Sequence, residues 1–165
     1  LEGVKTEFEG KMTIGAGTVL DPESARIAIM AGADFILSPT LNTSVIEMCS
    51  RYSKIAVPGV LTPTEILTAW QAGAQIVKVF PVRAFGPSYI KDIKAPLSQV
   101  EIMAVGGVTL ENAGEFIRNG SMCVGIGSEL VNKKWVTEGN FSLIRETAEK
   151  FVYKVAEARK QQAGK

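Results

Sequence analysis

The chain has 165 residues, 46% hydrophobic and 21% charged, with a net charge of +1, which is the composition of an ordinary globular domain with a substantial core. The near-neutral charge excludes a sequence-wide basic field, and no apolar run approaches the roughly 20 residues of a transmembrane helix. We therefore expect neither nucleic acid nor a membrane as a partner. The chain contains no histidine, which excludes a Ser–His–Asp hydrolase or a His-ligated metal centre built from these residues alone.

The two cysteines indicate a reducing compartment. Cys49 and Cys123 lie in apolar contexts and lack the spacing of metal ligands, as is typical of buried, reduced thiols. We expect a cytoplasmic protein with neither a metal nor another cofactor.

Short apolar runs typical of buried strands recur along the chain about every 20 to 26 residues, each ending in Gly, Pro or Ser. This spacing suits a strand, a loop and a helix of three turns. The predicted strands cover residues 12–17, 34–39, 54–59, 75–81, 101–107 and 123–128.

Helix signals lie between these runs. Asp21 followed by Pro22 predicts a capped helix start, and Thr62 with Glu65 predicts a capping box. Thr109 is predicted to begin a further helix. The last helix is predicted over residues 141–161 as an outer helix that packs on a sheet. Its apolar stripe comprises Phe141, Ile144, Ala148, Phe151, Val155 and Ala156.

Repeated βα units predict a parallel sheet, for which two architectures compete. An open, doubly wound sheet suits the length of the chain, because a (β/α)8 barrel usually needs ~200 residues or more. The Gly-rich ends of the last two predicted strands favour the barrel, in which the loops after the final strands often bind phosphate.

Those glycine-rich ends form a candidate phosphate site. Gly106 and Gly107 follow one strand, and Gly127 and Ser128 follow the next. Glycines let backbone amides approach an anion closely, and a serine hydroxyl can donate to it as well. The same glycines also suit tight βα turns with no ligand.

Lys78 is unusual because it lies inside a run of β-branched and aromatic residues. Alternation along the strand places it on one face with Ile76 and Phe80, near the strand's carboxyl end. An apolar wall lowers the pKa of a lysine, and a neutral amine can attack a carbonyl to form a Schiff base. The residues alone also allow a lysine that extends past a strand edge or pairs with a carboxylate.

Seven motifs occur in order along the chain, namely IGAGTVLDP, FILSP, VPGVLTPTE, IVKVFP, GPSYIK, AVGGV and VGIGS. Together they resemble one enzyme family, the 2-keto-3-deoxy-6-phosphogluconate (KDPG) and 4-hydroxy-2-oxoglutarate (KHG) aldolases. The resemblance implies a class I aldolase on a (β/α)8 TIM barrel, usually a homotrimer. The implied reactions release pyruvate from KDPG, with glyceraldehyde 3-phosphate, or from KHG, with glyoxylate.

The resemblance also implies roles for residues at the matching positions. Lys78 is similar to the Schiff-base lysine, and Thr18 to the residue that holds the pyruvate carboxylate. Pro39 and Phe80 are similar to walls of the keto-acid pocket. The phosphate cradle is implied at Gly106, Gly107, Gly127 and Ser128.

The sequence departs from the family pattern in two ways. Val105 stands where the family has threonine, near the aldehyde end of the substrate, which affects the expected stereochemical preference. Two further βα units, with a proton-moving glutamate and a keto-acid-binding arginine, precede IGAGTVLDP in the family. We therefore expect residues 1–165 to be one barrel domain that reads as strands three to eight, with its N-terminal part lacking.

Two other functions stay open at this point. One is another phosphate-binding barrel enzyme, such as a sugar-phosphate epimerase or synthase. The other is a non-catalytic or engineered trimeric barrel scaffold. Glu65, the acidic residue nearest to Lys78 in the chain, is expected on a helix outside the barrel.

Overall fold

The computed structural model describes residues 1–8 and 10–163 of the chain. The strands are β1 (Gly15–Gly17), β2 (Phe35–Leu37), β3 (Ile55–Val57), β4 (Gly59–Val60), β5 (Ile76–Val79), β6 (Glu101–Val105) and β7 (Cys123–Gly125). The helices are α1 (Glu2–Glu7), α2 (Pro22–Met30), α3 (Thr43–Arg51), α4 (Pro63–Gln71), α5 (Gly86–Lys94), α6 (Ala113–Arg118), α7 (Lys133–Thr137) and α8 (Phe141–Ala163), with a 3-10 helix over Val82–Ala84.

These elements belong to two compact units. The first comprises Leu1–Phe80 and Gln99–Glu101, and the second comprises Pro81–Ser98 and Ile102–Lys165. The strand pairs within both units are parallel. An α/β fold with parallel sheets is therefore confirmed, and every predicted strand position contains an observed strand.

The first unit contains a three-stranded sheet in the order β1–β2–β3 and the separate pair β4–β5. Gly15 pairs with Phe35, and Phe35 pairs with Ile55. Helices α2, α3 and α4 contact these strands and bury aliphatic side chains against them. Val77 and Val79 of β5 are both fully buried, as expected for a strand covered by helices.

Pro58 divides the predicted third strand into β3 and β4. Val57 accepts a hydrogen bond from the Ser38 amide, whereas the Pro58 carbonyl accepts one from the Lys78 amide, 2.8 Å away. Proline has no N–H with which to continue the ladder. The chain therefore pairs with β2 before Pro58 and with β5 after it.

The predicted helix starts at Pro22 and Pro63 are confirmed. Asp21 accepts a hydrogen bond from the Ser24 amide at 2.7 Å. Thr62 and Glu65 form the reciprocal capping box, in which each side chain binds the other residue's backbone amide. Both caps depend on residues close in sequence, which is why the sequence identified them.

The second unit contains the parallel pair β6–β7 and helices α5 to α8. The prediction that Thr109 begins a helix is wrong, because α6 begins at Ala113. The Asn112 side chain accepts a hydrogen bond from the Thr109 amide and donates one to the Gly107 carbonyl. Residues 110–112 therefore form turns before the helix, and the Ala113 amide already donates to the Thr109 carbonyl at 2.9 Å.

The last helix occupies the predicted position and packs against α6 and α7. The predicted apolar stripe is correct at Phe151, which is buried, but wrong at Phe141 and Ala156, which are exposed. Ala158, outside the predicted stripe, is fully buried. The helix is therefore rotated relative to the predicted stripe, since its partner is largely another helix. Among the described residues, no helix is both long and apolar enough to cross a membrane.

Candidate functional site

Lys78 is a buried cation near the carboxyl end of β5. The residue is 8% exposed and pairs with Gly59 of β4. Its Nζ lies 4.4 Å from the centroid of the Phe80 ring. Among the ion pairs found in the described part of the chain, none involves Lys78. The ammonium therefore lacks the carboxylate partner that usually accompanies a buried charge.

Burial lowers the pKa of Lys78 from its ordinary value of 10.5, because desolvation penalises the charged form. The face of the Phe80 ring acts in the opposite direction, since an aromatic quadrupole attracts a cation. A lysine in this environment is more readily deprotonated than a surface lysine, which suits a nucleophilic amine.

Gly59 fixes the backbone next to Lys78. A Cβ atom at Gly59 would collide with the carbonyl group of Pro39. Only glycine allows the two chain segments to approach this closely. A cavity of about 380 Å³ opens here, and its lining includes Pro39, Gly59, Phe80 and Glu65.

Glu65 contributes a carboxylate to this cavity but uses it to cap α4. One carboxylate oxygen accepts hydrogen bonds from the Leu61 amide at 2.9 Å, the Thr62 amide at 2.8 Å and the Thr62 hydroxyl at 2.9 Å. The bond from the Thr62 backbone is the largest cause of a lowered Glu65 pKa. Because one oxygen is engaged in the cap and the charge is stabilised, Glu65 is poorly suited to be a general base.

Thr18 follows β1 and has a positive φ of 59°. A β-branched residue rarely adopts this left-handed conformation, which costs roughly 1–2 kcal/mol. The next amide, that of Val19, donates to the Leu37 carbonyl of β2 at 3.2 Å. This bond holds the strained residue at the end of the β1–β2 pair, with its side chain exposed. Local strain of this kind is common at binding sites.

In the second unit, the register of β6 and β7 aligns the two glycine loops. Val105 pairs with Gly125, and the Val105 side chain lies so close to Gly125 that an added Cβ would fall 2.8 Å from it. Gly106–Gly107 and Gly127–Ser128 therefore leave neighbouring strands at the same end. Gly106 and Gly107 have φ values of 84° and 100°, which require glycine.

The two loops differ in how much space surrounds their glycines. A Cβ at Gly107 would fall 2.6 Å from the Cβ of Arg83, whereas a Cβ at Gly127 would meet nothing within 4 Å. The Gly127 carbonyl accepts hydrogen bonds from the Leu130 and Val131 amides at 3.0 and 2.9 Å. Gly127 and Ser128 are both exposed, so this loop is open to a ligand.

The structure thus groups the predicted residues unit by unit. Thr18, Pro39, Lys78 and Phe80 all lie in the first unit, where Pro39 and Phe80 share the cavity; the lining described for that cavity does not include Thr18 or Lys78. The sequence analysis missed the structural role of Gly59 and the contact of Arg83 with Gly107. The glycine after Pro58 was a visible signal for the first, but no local pattern indicates the second.

The architecture is that of an α/β protein made of parallel βα units, consistent with a (β/α)8-like barrel. The family model for KDPG and KHG aldolases matches residues 3–147. The chain belongs to this family.

One curated relative is the 2-dehydro-3-deoxy-6-phosphogalactonate aldolase of Escherichia coli (strain K12). It is 46% identical over 124 residues, an alignment that covers 74% of this chain and 60% of the relative. The chain therefore spans about 60% of the length of this relative.

Two solved structures are similar over nearly the whole chain. A cube-shaped, porous protein cage designed by fusing symmetric oligomeric domains has a TM-score of 0.89 and 37% identity, covering 99% of this chain and 59% of the other. The KDPG aldolase of Legionella pneumophila, with pyruvate captured at low pH as a covalent carbinolamine intermediate, has a TM-score of 0.82 and 30% identity, covering 88% of this chain and 71% of the other.

Proposed function

We propose that this chain carries the Schiff-base lysine of a class I aldolase, and that this lysine is Lys78. The amine attacks the ketone carbon of a 2-keto acid and water leaves, which gives an imine. The C4 hydroxyl then loses its proton and the C3–C4 bond breaks, so that an aldehyde leaves and the imine takes up the electron pair as an enamine. Protonation at C3 gives the pyruvate imine, and water releases pyruvate and restores the amine. The observation that carries this proposal is the burial of Lys78 without an ion-pair partner among the described residues.

The remaining roles follow the family pattern. We assign the pyruvate carboxylate to Thr18 and the walls of the keto-acid pocket to Pro39 and Phe80. The strain at Thr18 and the cavity beside Pro39 and Phe80 support this assignment. The phosphate of the substrate is assigned to the loops at Gly106, Gly107, Gly127 and Ser128, and Val105 to the aldehyde end.

We infer that the preferred substrate is a 2-keto-3-deoxy-6-phospho sugar acid of the galactonate series, with the gluconate series second. The relative named for phosphogalactonate is 46% identical, whereas the KDPG aldolase with bound pyruvate is 30% identical. Val105 bears on the same preference, because it replaces the family's threonine near the aldehyde end with a side chain that cannot donate a hydrogen bond.

We further propose that residues 1–165 make a single barrel domain and that its six strand positions, with β3 and β4 counted as one, are strands three to eight. In this assignment the proton-moving glutamate belongs to an earlier strand. Assembly as a homotrimer is proposed from the family pattern, and the designed cage of fused oligomeric domains supports oligomerisation.

Reduction with borohydride in the presence of pyruvate tests the central assignment. We expect a stable adduct on the peptide that contains Lys78, measured by mass spectrometry, and its loss in Lys78→Arg, since a guanidinium stays protonated. Lys54→Arg, the same change at another lysine of the first unit, should leave the adduct intact. An adduct on a different lysine, or none, would contradict the proposal.

The pH dependence provides a second measurement on the same reaction. Because the pKa of Lys78 is lowered, the neutral amine becomes available below the ordinary value of 10.5. The rate of imine formation should rise with pH and level off before 10.5. A rate that continues to rise through that value would show that the lysine is not desolvated.

A further inference from the structure

Arg83 lies against the Gly106–Gly107 turn in the second unit. It occupies the middle of the 3-10 helix Val82–Ala84. A Cβ placed on Gly107 would be 2.6 Å from the Arg83 Cβ, 2.9 Å from its Cα and 3.2 Å from its Cγ. The start of the arginine side chain therefore runs directly over the glycine.

The anchoring of this segment gives Arg83 a fixed starting point. Val82, the preceding residue, is fully buried, and Phe85, two residues on, stacks on Tyr89 with ring centroids 4.8 Å apart. Arg83 itself is exposed. The backbone is thus held on both sides while the guanidinium is accessible to a ligand.

The charge of Arg83 is not used within the described part of the chain, where the ion pairs and side-chain hydrogen bonds found do not include it. Its neighbours Val82 and Ala84 are uncharged. An arginine that is neither paired nor near a charge along the chain is available to bind an anion, and its planar fork matches the oxygens of a phosphate.

The segment beside Arg83 consists of two glycines, so no Cβ covers its backbone N–H groups. Gly106 and Gly107 have φ values of 84° and 100°, and glycine backbone of this kind can approach a ligand closely. A side chain at Gly107 is excluded by the arginine. The first atoms of the Arg83 side chain therefore lie beside the Gly107 backbone.

We propose that Arg83 binds the phosphate group of the substrate together with the Gly106–Gly107 amides, and so selects phosphorylated substrates. The identity of the anion as a substrate phosphate rests on the proposed function. Arg83 takes no part in bond making or breaking and acts only on the remote end of the substrate. Its contribution should therefore appear as binding energy.

Titration of the protein with inorganic phosphate, followed through the amide NMR signals of Gly106 and Gly107, tests the binding directly. We expect Arg83→Met to weaken phosphate binding about tenfold or more, because methionine keeps an unbranched apolar stem over Gly107 but has no charge. Arg83→Lys should lose less, since it keeps the charge without the fork.

Lys91→Met is the matched control, because it removes an exposed cation from the same unit. We expect it to bind phosphate as the unmodified chain does. If Arg83→Met binds phosphate as tightly as the unmodified chain, or if the control weakens binding equally, the proposal is overturned. Absence of phosphate binding in the unmodified chain overturns it as well.

The phosphate titration tests the anion site and borohydride trapping tests the aldolase proposal, so either proposal can fail while the other holds. Arg83-dependent phosphate binding without a pyruvate adduct on Lys78 would support the anion site and reject the aldolase proposal. An adduct on Lys78 with no phosphate binding would do the reverse. In a protein with turnover, Arg83→Met should raise KM for the phosphorylated substrate about tenfold and leave KM for 4-hydroxy-2-oxoglutarate unchanged.

Discussion

The backbone strain and the hydroxyl group of Thr18 can be tested separately by substitution. Its φ of 59° is costly for a β-branched side chain. Thr18→Gly should relieve this strain, worth roughly 1–2 kcal/mol, but adds chain entropy to the unfolded state, worth roughly 0.5–1 kcal/mol. We therefore expect equal or slightly greater stability in urea unfolding. Thr18→Val keeps the strain and removes only the hydroxyl.

If Thr18 binds the pyruvate carboxylate through its hydroxyl, both variants should need more pyruvate for the same yield of borohydride adduct. One hydrogen bond to a charged group is worth about 1.5–3 kcal/mol, so the concentration should rise about tenfold or more. Normal trapping by Thr18→Val would show that the hydroxyl is not the ligand. Thr18→Ser, which retains the hydroxyl, is the control.

The glycines of the two loops proposed to bind phosphate should respond differently to the same small substitution. Gly107→Ala should destabilise the protein, because it combines a φ of 100° with a Cβ contact of 2.6 Å to Arg83. Its binding defect would then be mixed with a folding defect. Gly127→Ala meets nothing within 4 Å and should fold normally.

We predict that Gly127→Ala retains the melting temperature of the unmodified chain but weakens phosphate binding, since a methyl group narrows the open loop. Gly107→Ala should lower the melting temperature by several degrees, as a loss of about 1–3 kcal/mol would produce. Thermal unfolding and phosphate titration of the two variants give the comparison. Equal stability of the two would contradict the close contact at Gly107.

At the scale of elements, the Asp34 carboxylate links α1 to the rest of the first unit. Both Asp34 oxygens accept hydrogen bonds from Lys5 at 2.7 Å, and one also accepts the Ile14 amide at 3.0 Å. The Ile14 bond is the largest cause of a lowered Asp34 pKa, followed by the bond from Lys5. The stem of Lys5 also covers Gly32.

The lowered pKa of Asp34 determines how its interactions with Lys5 and Ile14 depend on pH. A carboxyl group with a lowered folded pKa stabilises the fold above its ordinary value, here 3.8, and loses that contribution as the pH falls through the lowered value. We expect the Asp34 carboxyl to titrate below 3.8 by NMR, with the Ile14 amide signal moving at the same midpoint. A midpoint at or above 3.8 would show that these hydrogen bonds do not stabilise the Asp34 carboxylate. Lys5→Met should reduce the shift without abolishing it.

The elements that the sequence predicted well are those defined by near neighbours. Asp21 and Thr62 cap their helices through residues within the first turn, and such local patterns are visible in the sequence. The start of α6 was predicted four residues too early at Thr109, because residues 110–112 form turns before the helix begins at Ala113. The burial of Ala158 depends on the helix that α8 meets, which no local periodicity identifies.

In the candidate site, too, features set by near neighbours were predictable and features set by distant contacts were not. Lys78 was identified from the alternation of its own strand, and its burial is as expected. The strain at Thr18 could not be foreseen, since threonine is not a residue that normally signals a positive φ. The contacts of Gly59 with Pro39 and of Gly107 with Arg83 join segments that are distant in the chain, and only the three-dimensional structure reveals them.

At the scale of the molecule, the proposed assignment of strands three to eight predicts a catalytic deficit. A proton shuttle near the imine contributes typically 10²–10⁴-fold to the rate, and Glu65 is engaged as a helix cap. We expect the 165 residues to trap pyruvate but to cleave the phosphorylated substrate slowly. Fusion of a βαβα segment from an aldolase relative to the N-terminus should raise the cleavage rate.

A fused segment in which the shuttle glutamate is changed to glutamine is the control, because it supplies the same strands without the proton carrier. Its rate should stay close to that of the unfused chain, while its stability matches that of the active fusion. Full activity of the unfused chain would mean that the strand assignment is wrong and that another group moves the proton.

The contact of Gly59 with the Pro39 carbonyl bears on how this protein could be diversified. In a saturation library selected for imine formation, we expect Gly59 to tolerate substitution as poorly as Lys78, although glycine has no side chain that could react. The reason is that any Cβ would push Pro39 away and shift the backbone that pairs with the lysine. A selection for folding alone, with no keto acid present, should therefore still require glycine at position 59 but accept substitutions of Lys78. Comparing the two enrichment profiles would distinguish residues that hold the proposed Schiff-base lysine in place from the lysine itself.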